Sequence, residues 1–189
     1  MSPLELNSTS VQIKKLEAGD DLSNFSCNLE DDLGCDDFIH NTDEALVYQK
    51  ERFGITYLFR IGDEIIGYAT ISMGSISSKS IGGRDKELVP LKEFPCLLIG
   101  RLGVSNTRRK SHVGSYLCEW CVGRAAKYSF DIGCRYVVLF TTFEKFESFY
   151  KKCEFECVDE FKVTDKKRKV WLFQRIVIDQ DIPTPPKKE

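Results

Sequence analysis

The stretch from Leu98 to Leu117 reads L-I-G-R-L-G-V-S-N-T-R-R-K-S-H-V-G-S-Y-L, an apolar segment followed by a basic turn and an amphipathic run. Residues Cys96–Val104 are almost continuously apolar, which indicates a strand in the middle of a sheet. From Val113 to Tyr128, apolar side chains recur at helical spacing. The sequence therefore predicts a central strand, a basic loop and a helix in direct succession.

The loop of this unit has the features of an anion site. Arg108–Lys110 supply three formal charges, and Ser105–Cys118 contains no carboxylate. The first N–H groups of a helix lack internal partners, and the helix dipole adds positive potential there. Gly114 leaves room for close approach of the backbone to a ligand. We expect a phosphate-binding loop; a plain basic connection is the alternative.

Length and composition describe one ordinary globular domain. The chain has 189 residues, of which 42% are hydrophobic and 30% charged, and a net charge of -2. The charge gives no reason to expect wholesale nucleic-acid binding. No stretch approaches the roughly 18 apolar residues of a membrane span, and no signal peptide is visible at the N-terminus. We therefore expect a cytoplasmic protein with no membrane partner.

The remaining elements give the order β-α-α-β-β-β-α-β-α-β-β. Gly62-Asp63-Glu64 separates two β-rich runs and marks the clearest hairpin, Gly54 is a candidate helix end, and Ser77–Pro95 is expected to be a surface excursion. This order predicts an α/β fold with a mixed sheet, one domain over residues 1–180 and a disordered tail over 181–189. The further predicted strands are Val11–Leu16, Ile55–Ile61, Ile65–Ile76, Tyr136–Phe140, Cys157–Val163 and Val170–Ile178, and the further helices are Ser23–Glu30, Asp36–Phe53 and Phe146–Lys152.

Eight cysteines raise the question of a metal site. Cys118 and Cys121 form a C-x-x-C pair, and Cys153 and Cys157 a second close pair, so four thiolates could bind zinc. The first pair lies inside the strong helical pattern, whereas zinc-binding pairs normally occupy tight turns. We therefore predict reduced and mostly buried cysteines and no metal; a zinc-binding regulatory protein is an alternative.

Two motifs resemble those of the GNAT superfamily of N-acetyltransferases. The family pattern [Q/R]-x-x-G-x-[G/A] follows a central strand; Arg109 occupies its first position, Gly114 its last, and His112 stands at the middle glycine. The run Phe149–Phe155 resembles the family's F-Y-x-x-x-G-F, with Glu154 in place of glycine. The early F-S-C, L-G-C-D-D-F-I and I-I-G-Y-A-T-I-S segments resemble the toxin-like branch of this superfamily.

The resemblance implies a GNAT-like mixed, mostly antiparallel central sheet flanked by helices. It also implies transfer of an acetyl group from acetyl-CoA, a cosubstrate, to a primary amine by direct attack, without a metal. The pantetheine arm would lie along the Leu102–Val104 backbone, where the central strand of the family splays from its neighbour. The pyrophosphate would lie on the loop. The implied cofactor-binding residues are Leu102, Gly103, Val104, Arg109, Lys110, Ser111, His112, Val113, Gly114 and Ser115.

Two residues are candidates for catalysis. The backbone N–H near Leu102 could stabilise the oxygen that becomes negative, and Tyr150 of the F-Y motif could protonate the leaving sulfur. Packing of the short helix is the alternative role of Tyr150. The central strand carries no carboxylate, only Arg101, so a water chain is as good a base as any side chain. Such a weak base favours an α-amine, whose pKa is about 8, over a lysine.

The acceptor stays open between a small amine, a peptide and an aminoacyl-tRNA. The toxin-like branch acts on aminoacyl-tRNA, whereas the mild acidity of this chain argues against strong RNA affinity. The basic run Lys166–Lys169 is more simply a solvated turn than a nucleic-acid patch. A non-catalytic acyl-CoA sensor is the second interpretation, because His112 and Glu154 replace glycines. A homodimer is also open.

Overall fold

The structure is a computed structural model that describes residues 11–28, 34–81, 84–158 and 165–177. Within these residues seven strands form one sheet: β1 (Gln12–Lys15), β2 (Ile55–Ile61), β3 (Glu64–Ser77), β4 (Glu93–Val104), β5 (Tyr136–Thr142), β6 (Glu156–Cys157) and β7 (Lys169–Arg175). Their order across the sheet is β1-β2-β3-β4-β5-β7-β6. The predicted domain end at residue 180 and the predicted tail lie outside the described residues.

Helices cover both faces of the sheet. They are α1 (Cys35–His40), α2 (Thr42–Lys50), α3 (Arg84–Leu88), α4 (Val113–Ile132) and α5 (Phe143–Ser148). Leu117 of α4 is buried in one cluster with Phe59 of β2, whereas Phe38 of α1 is buried in another with Leu58. Successive strand residues point to opposite faces, so α4 and α1 lie on opposite sides of the sheet.

The sheet is antiparallel except at its centre. Only β4 and β5 run parallel among the described strands, and their pairing extends from Cys96↔Tyr136 to Ile99↔Leu139. The strand–loop–helix unit of residues 96–128 makes this crossover, because β4 leads into α4 and α4 returns to β5. The predicted mixed, mostly antiparallel sheet flanked by helices is confirmed.

The predicted order of elements is confirmed over the described residues with two corrections and one addition, and residues 159–163 of the predicted strand Cys157–Val163 lie outside them. The predicted helix at Ser23–Glu30 is wrong over residues 23–28, which form turns. The predicted helix Asp36–Phe53 is two helices that meet at Asn41, and the chain turns at Arg52, with φ 65°, before reaching Gly54. The surface excursion contains the unpredicted α3. Of these described helices, none is long and apolar enough to cross a membrane.

Candidate active site

A cleft opens where β4 and β5 part. Their pairing ends at Ile99↔Leu139, after which β5 pairs only with β7 as far as Thr142. On its other side β4 stays paired with β3, but the register shifts because Thr70 faces Arg101 while Ile71 faces Ile99. Gly100 is therefore the extra residue of a β-bulge, a device that bends a strand. The splay expected from the resemblance lies at this bulge.

The backbone of Leu102 and Val104 faces the cleft. Ser105 donates its N–H to the Ile66 carbonyl of the neighbouring strand, at 3.0 Å. Hydrogen-bonded and non-bonded pairs alternate along an antiparallel ladder, so Gly103 and Arg101 also bond toward β3. Leu102 and Val104 must then direct their N–H and C=O groups away from β3, where no strand is paired with them. An extended ligand could satisfy these groups as a strand would.

The structure brings most of the predicted cofactor residues to one cavity of about 500 Å³. Eight of the ten line it: Leu102, Gly103, Val104, Arg109, Lys110, His112, Gly114 and Ser115. The side chains of Ser111 and Val113 lie elsewhere. Ser111 Oγ donates to the Arg108 carbonyl within the loop, and Val113 is buried in the core under α4. We call this space the loop cavity.

Two of the three predicted cations of the loop have partners in the protein. Arg108 makes a bidentate ion pair with Glu64, and this hydrogen bond lowers the pKa of the Glu64 carboxyl. Arg109 Nη2 donates to the carbonyls of Cys27, at 3.2 Å, and Asn28, at 2.8 Å. Glu64 neutralises Arg108, whereas the carbonyl partners of Arg109 leave its charge in place, so the positive potential of the loop cavity comes from Arg109, Lys110 and the α4 N-terminus.

Both departures from the family glycines adopt the conformation that favours glycine. His112 has φ 64° at the start of α4, and Glu154 has φ 65° after the helical turn that contains Tyr150. L-residues pay an energetic cost in this left-handed region, which glycine enters freely. Both replacements therefore place a side chain, at an energetic cost, where the backbone conformation suits glycine.

Gly114 is needed for packing between helices. A Cβ at this position would lie 2.9 Å from Phe149 Cζ and 3.6 Å from Val104 Cγ2. Phe149 forms part of the wall of the loop cavity. The sequence motif contains this residue but does not indicate that role. The absence of a side chain at Gly114 therefore lets the aromatic wall approach the first turn of α4.

Tyr150 lies where two cavities meet. It lines the loop cavity and also a second cavity of about 370 Å³, which contains the bulge residue Gly100 and which we call the bulge cavity. Its ring packs edge-on against Phe149, with ring centroids 4.8 Å apart. Burial, followed by the nearby thiols of Cys118 and Cys35, raises the pKa of the Tyr150 phenol well above its usual range. The phenol is therefore protonated at neutral pH and is a weaker acid than an exposed tyrosine.

The two cavities share four lining residues, Cys35, Leu102, Lys145 and Tyr150. Two of them, Leu102 and Tyr150, are the residues that the sequence predicted to be catalytic. Lys145 and Cys35 were not predicted, because they reach the cleft from α5 and α1 through tertiary packing. The Leu102 backbone amide and the Tyr150 phenol therefore lie where the two cavities adjoin.

An aromatic pair lies beside the bulge cavity. Phe140 and Trp171 are directly opposite each other on β5 and β7, with ring centroids 5.0 Å apart, and they are 44% and 45% exposed. Both line the cavity together with Lys169 of the predicted basic turn. Large exposed rings on neighbouring strands form a surface on which flat groups can stack.

The cysteines do not form a metal centre in the described part of the chain. All eight are free thiols, and Cys118 and Cys121 are buried in α4 as predicted. A hydrogen bond from Cys118 lowers the pKa of Cys153, whose Sγ lies 3.8 Å from Ser115 Oγ. No group of three His, Cys, Asp or Glu side chains among the described residues could bind a metal ion.

No protein-family model and no curated protein matches the sequence. Solved structures do match the fold. A structure of AtaT complexed with acetyl-methionyl-tRNAfMet superposes with a TM-score of 0.72 at 18% identity, covering 88% of this chain and 95% of that one. A variant of KacT gives 0.73 at 18% identity, with the same coverage. The chain has the GNAT fold.

A third GNAT-fold structure, AtaTR bound with AcCoA, gives a TM-score of 0.67 at 19% identity and covers 88% of this chain and 94% of that one. At such identities the likeness establishes the fold.

Proposed function

We propose that this protein is an acetyl-CoA-dependent N-acetyltransferase whose acceptor is the α-amine of an aminoacyl-tRNA. One observation carries the proposal: the loop cavity and the bulge cavity meet at Leu102 and Tyr150. A two-substrate transfer needs two routes to one reacting centre, with groups there that can stabilise negative charge and supply a proton.

Acetyl-CoA fits the loop cavity by the chemistry of its walls. The cleft-facing amides of Leu102 and Val104 would pair with the pantetheine amides, as a neighbouring strand would. The pyrophosphate would bind at the first turn of α4, where His112–Ser115 contain no acidic side chain and Lys110 adds charge. The bound thioester supplies the acetyl group.

The groups of the chain then act at stated atoms. The acceptor nitrogen forms a bond to the thioester carbonyl carbon, and the C–S bond breaks. The Leu102 N–H donates to the carbonyl oxygen as it becomes negative. The Tyr150 hydroxyl donates its proton to the departing sulfur, and the proton lost by the nitrogen passes to water. The Tyr150 phenol regains its proton from solvent before the next cycle.

Several features support aminoacyl-tRNA as the acceptor. The exposed Phe140–Trp171 pair offers a surface for the terminal bases, and Lys145 and Lys169 line the same cavity. Among the structural neighbours, AtaT has been described with acetyl-methionyl-tRNAfMet. An α-amine also requires a weaker base than lysine does, and the described lining of the bulge cavity contains no carboxylate base.

The test is a thiol-release assay with acetyl-CoA and a panel of aminoacyl-tRNAs, combined with mass analysis of the released aminoacyl group. We expect one thiol per N-acetylated aminoacyl group. Uncharged tRNA and tRNA with an already acylated α-amine should give none. The thermal midpoint with and without acetyl-CoA separates binding from chemistry. A raised midpoint without transfer to any amine would identify an acyl-CoA sensor, and no rise at millimolar acetyl-CoA would exclude both functions.

A further inference from the structure

Arg101 lines the bulge cavity and has no carboxylate partner among the described residues. Its Nη1 donates to the Gly100 carbonyl at 2.9 Å, and its Cζ lies 5.2 Å from the centre of the Phe38 ring. Its Nε is buried and has no hydrogen-bond partner among the described residues, and no described carboxylate forms an ion pair with it. A buried guanidinium donor without a partner is unusual, because desolvation of a charged group is costly.

The position of Arg101 places it on the acceptor side of the cleft. It directly precedes Leu102, and its contact with Phe38 puts it on the α1 face of the sheet. The loop cavity extends from the N-terminus of α4 to Cys27 and Cys35, and Arg101 is not among its lining residues. A group bound by Arg101 would therefore lie in the bulge cavity, which the proposed function assigns to the acceptor.

A second polar group without a partner among the described residues lines the same cavity, from the α4 face of the sheet that it shares with Val137 and Leu139. Thr141 is 2% exposed, and its Oγ1 is buried with no hydrogen-bond partner among the described residues. It lines the bulge cavity near the end of β5, on the strand that parts from β4. The cavity wall thus contains one guanidinium and one hydroxyl, each with a buried atom that lacks a hydrogen-bond partner among the described residues.

The charges around the cavity point to an anionic ligand. Arg101, Lys145 and Lys169 line it, and none of its described lining residues is Asp or Glu. Cations in this position repel an ammonium and thereby favour the neutral, nucleophilic form of the amine. A guanidinium binds a carboxylate better than any other common side-chain group, through parallel N–H···O bonds.

We propose that Arg101, assisted by Thr141, binds a carboxylate of the acceptor and so selects aminoacyl groups with acidic side chains. The inference rests on the proposed function and names the substrate class for it. A phosphate of the polynucleotide is a poorer match, because the Arg101 Nε is buried one residue from Leu102. That place is occupied by the aminoacyl group, whereas the phosphates lie further along the terminal nucleotide.

The experiment compares isosteric pairs of substrates. Purified protein is given aspartyl-, asparaginyl-, glutamyl-, glutaminyl- and methionyl-tRNA, and kcat/KM is measured for each. We expect the acidic member of each pair to be acetylated at least about tenfold more efficiently than its amide, since the amide cannot form the charged pair. Arg101→Met should bring the acid-to-amide ratio close to one, and Thr141→Val should reduce it. Lys127→Met removes an exposed cation of α4 outside both cavities and should leave the ratio unchanged.

The outcomes separate the two proposals. Absence of transfer to every aminoacyl-tRNA contradicts the proposed function. Efficient transfer with equal rates for acids and amides leaves that function standing and overturns the role of Arg101. An equal loss for all five substrates in Arg101→Met, at an unchanged thermal midpoint, would assign Arg101 to the polynucleotide and overturn the inference. Free aspartate and glutamate form the last arm: if they are better substrates than the charged tRNAs, the carboxylate recognised is that of a free amino acid.

Discussion

Gly103 and Tyr68 are paired across β3 and β4 so closely that a Cβ on Gly103 would lie 2.5 Å from Tyr68 Cε1. The same Cβ would lie 2.9 Å from Cys27 Sγ. Tyr68 is fully buried, and its hydroxyl donates to the Cys35 carbonyl at 2.5 Å. The tyrosine ring therefore occupies the space that a side chain at position 103 would need, and it connects the central strand to α1.

Gly103→Ala should destabilise the fold. Because Tyr68 is held by its hydrogen bond and by full burial, the added methyl must displace the ring or the strand. Overpacking of this kind costs about 1–3 kcal/mol. The free energy of unfolding, measured by chemical denaturation, checks this. Gly123→Ala is the matched control: a Cβ there meets nothing within 4 Å, and alanine should stabilise α4 by about 0.5–1 kcal/mol. A Gly103→Ala variant as stable as the control would contradict the packing argument.

Glu154→Gly should stabilise the protein. Glu154 has φ 65°, a conformation that costs an L-residue about 1–2 kcal/mol and glycine almost nothing. We expect a gain of about 1 kcal/mol in the free energy of unfolding, seen as a higher midpoint in the same denaturation assay. Glu119→Gly is the control because Glu119 is exposed within α4, where glycine should cost about 1 kcal/mol. Equal losses in the two variants would show that position 154 carries no strain.

The elements that could be predicted from the sequence are those with a strong hydrophobic period or a clear turn. The spacing from Val113 to Tyr128 and the turn at Gly62 predicted α4 and the β2–β3 hairpin. The predicted helix at Ser23–Glu30 failed because Leu22 and Phe25 are buried against Tyr68 and Leu58 without being helical. The apolar residues there are spaced as in a helix, but they are apolar because they pack against the rest of the protein. The five residues of α3 are too few to show any period.

Asp85 should make the free energy of unfolding depend on pH in the acidic range. Hydrogen bonds from Arg135, which outweigh the effect of burial, hold the pKa of Asp85 below its ordinary value of 3.8, and Tyr136 and Arg175 add to this. A carboxyl with a lower pKa in the folded state stabilises the fold above about pH 4, and this contribution disappears as pH falls through the folded pKa. Asp85→Asn should cost about 1–3 kcal/mol at pH 7.

The measurement is the difference in unfolding free energy between the natural protein and Asp85→Asn from pH 7 to pH 2.5. The difference should be constant at neutral pH and shrink below about pH 4. Glu87→Gln changes an exposed carboxylate of the same helix, α3, and should show no comparable loss at pH 7. A difference that stayed constant down to pH 2.5 would contradict the ion-pair explanation.

The site was predictable only where its residues are neighbours in the chain. Arg109, Gly114 and Tyr150 belong to local motifs, and the structure brings all three to the loop cavity. Neutralisation of Arg108 depends on Glu64, 44 residues away, and Arg101 meets Phe38 across the sheet. Such pairs follow from strand register and from the bulge at Gly100. No local pattern specifies that bulge.

Tyr150→Phe should separate catalysis from binding and from packing. The substitution removes one oxygen, and the hydroxyl has no hydrogen-bond partner among the described residues, so the ring contacts with Phe149 and Phe155 should persist. Loss of the proton donor should lower kcat by about 10²–10⁴. Acetyl-CoA affinity should change little, because the proton moves only in the transition state. Single-turnover assays and calorimetric titration with acetyl-CoA provide the two readouts, and the thermal midpoint controls for folding.

Tyr116→Phe is the matched control, since Tyr116 is half-buried on α4 and lines neither cavity. If both tyrosine variants retained full activity, solvent rather than Tyr150 would be the acid. A parallel loss of affinity and thermal midpoint in Tyr150→Phe would instead assign the phenol to the packing of the helical turn Tyr150–Cys153 against the core.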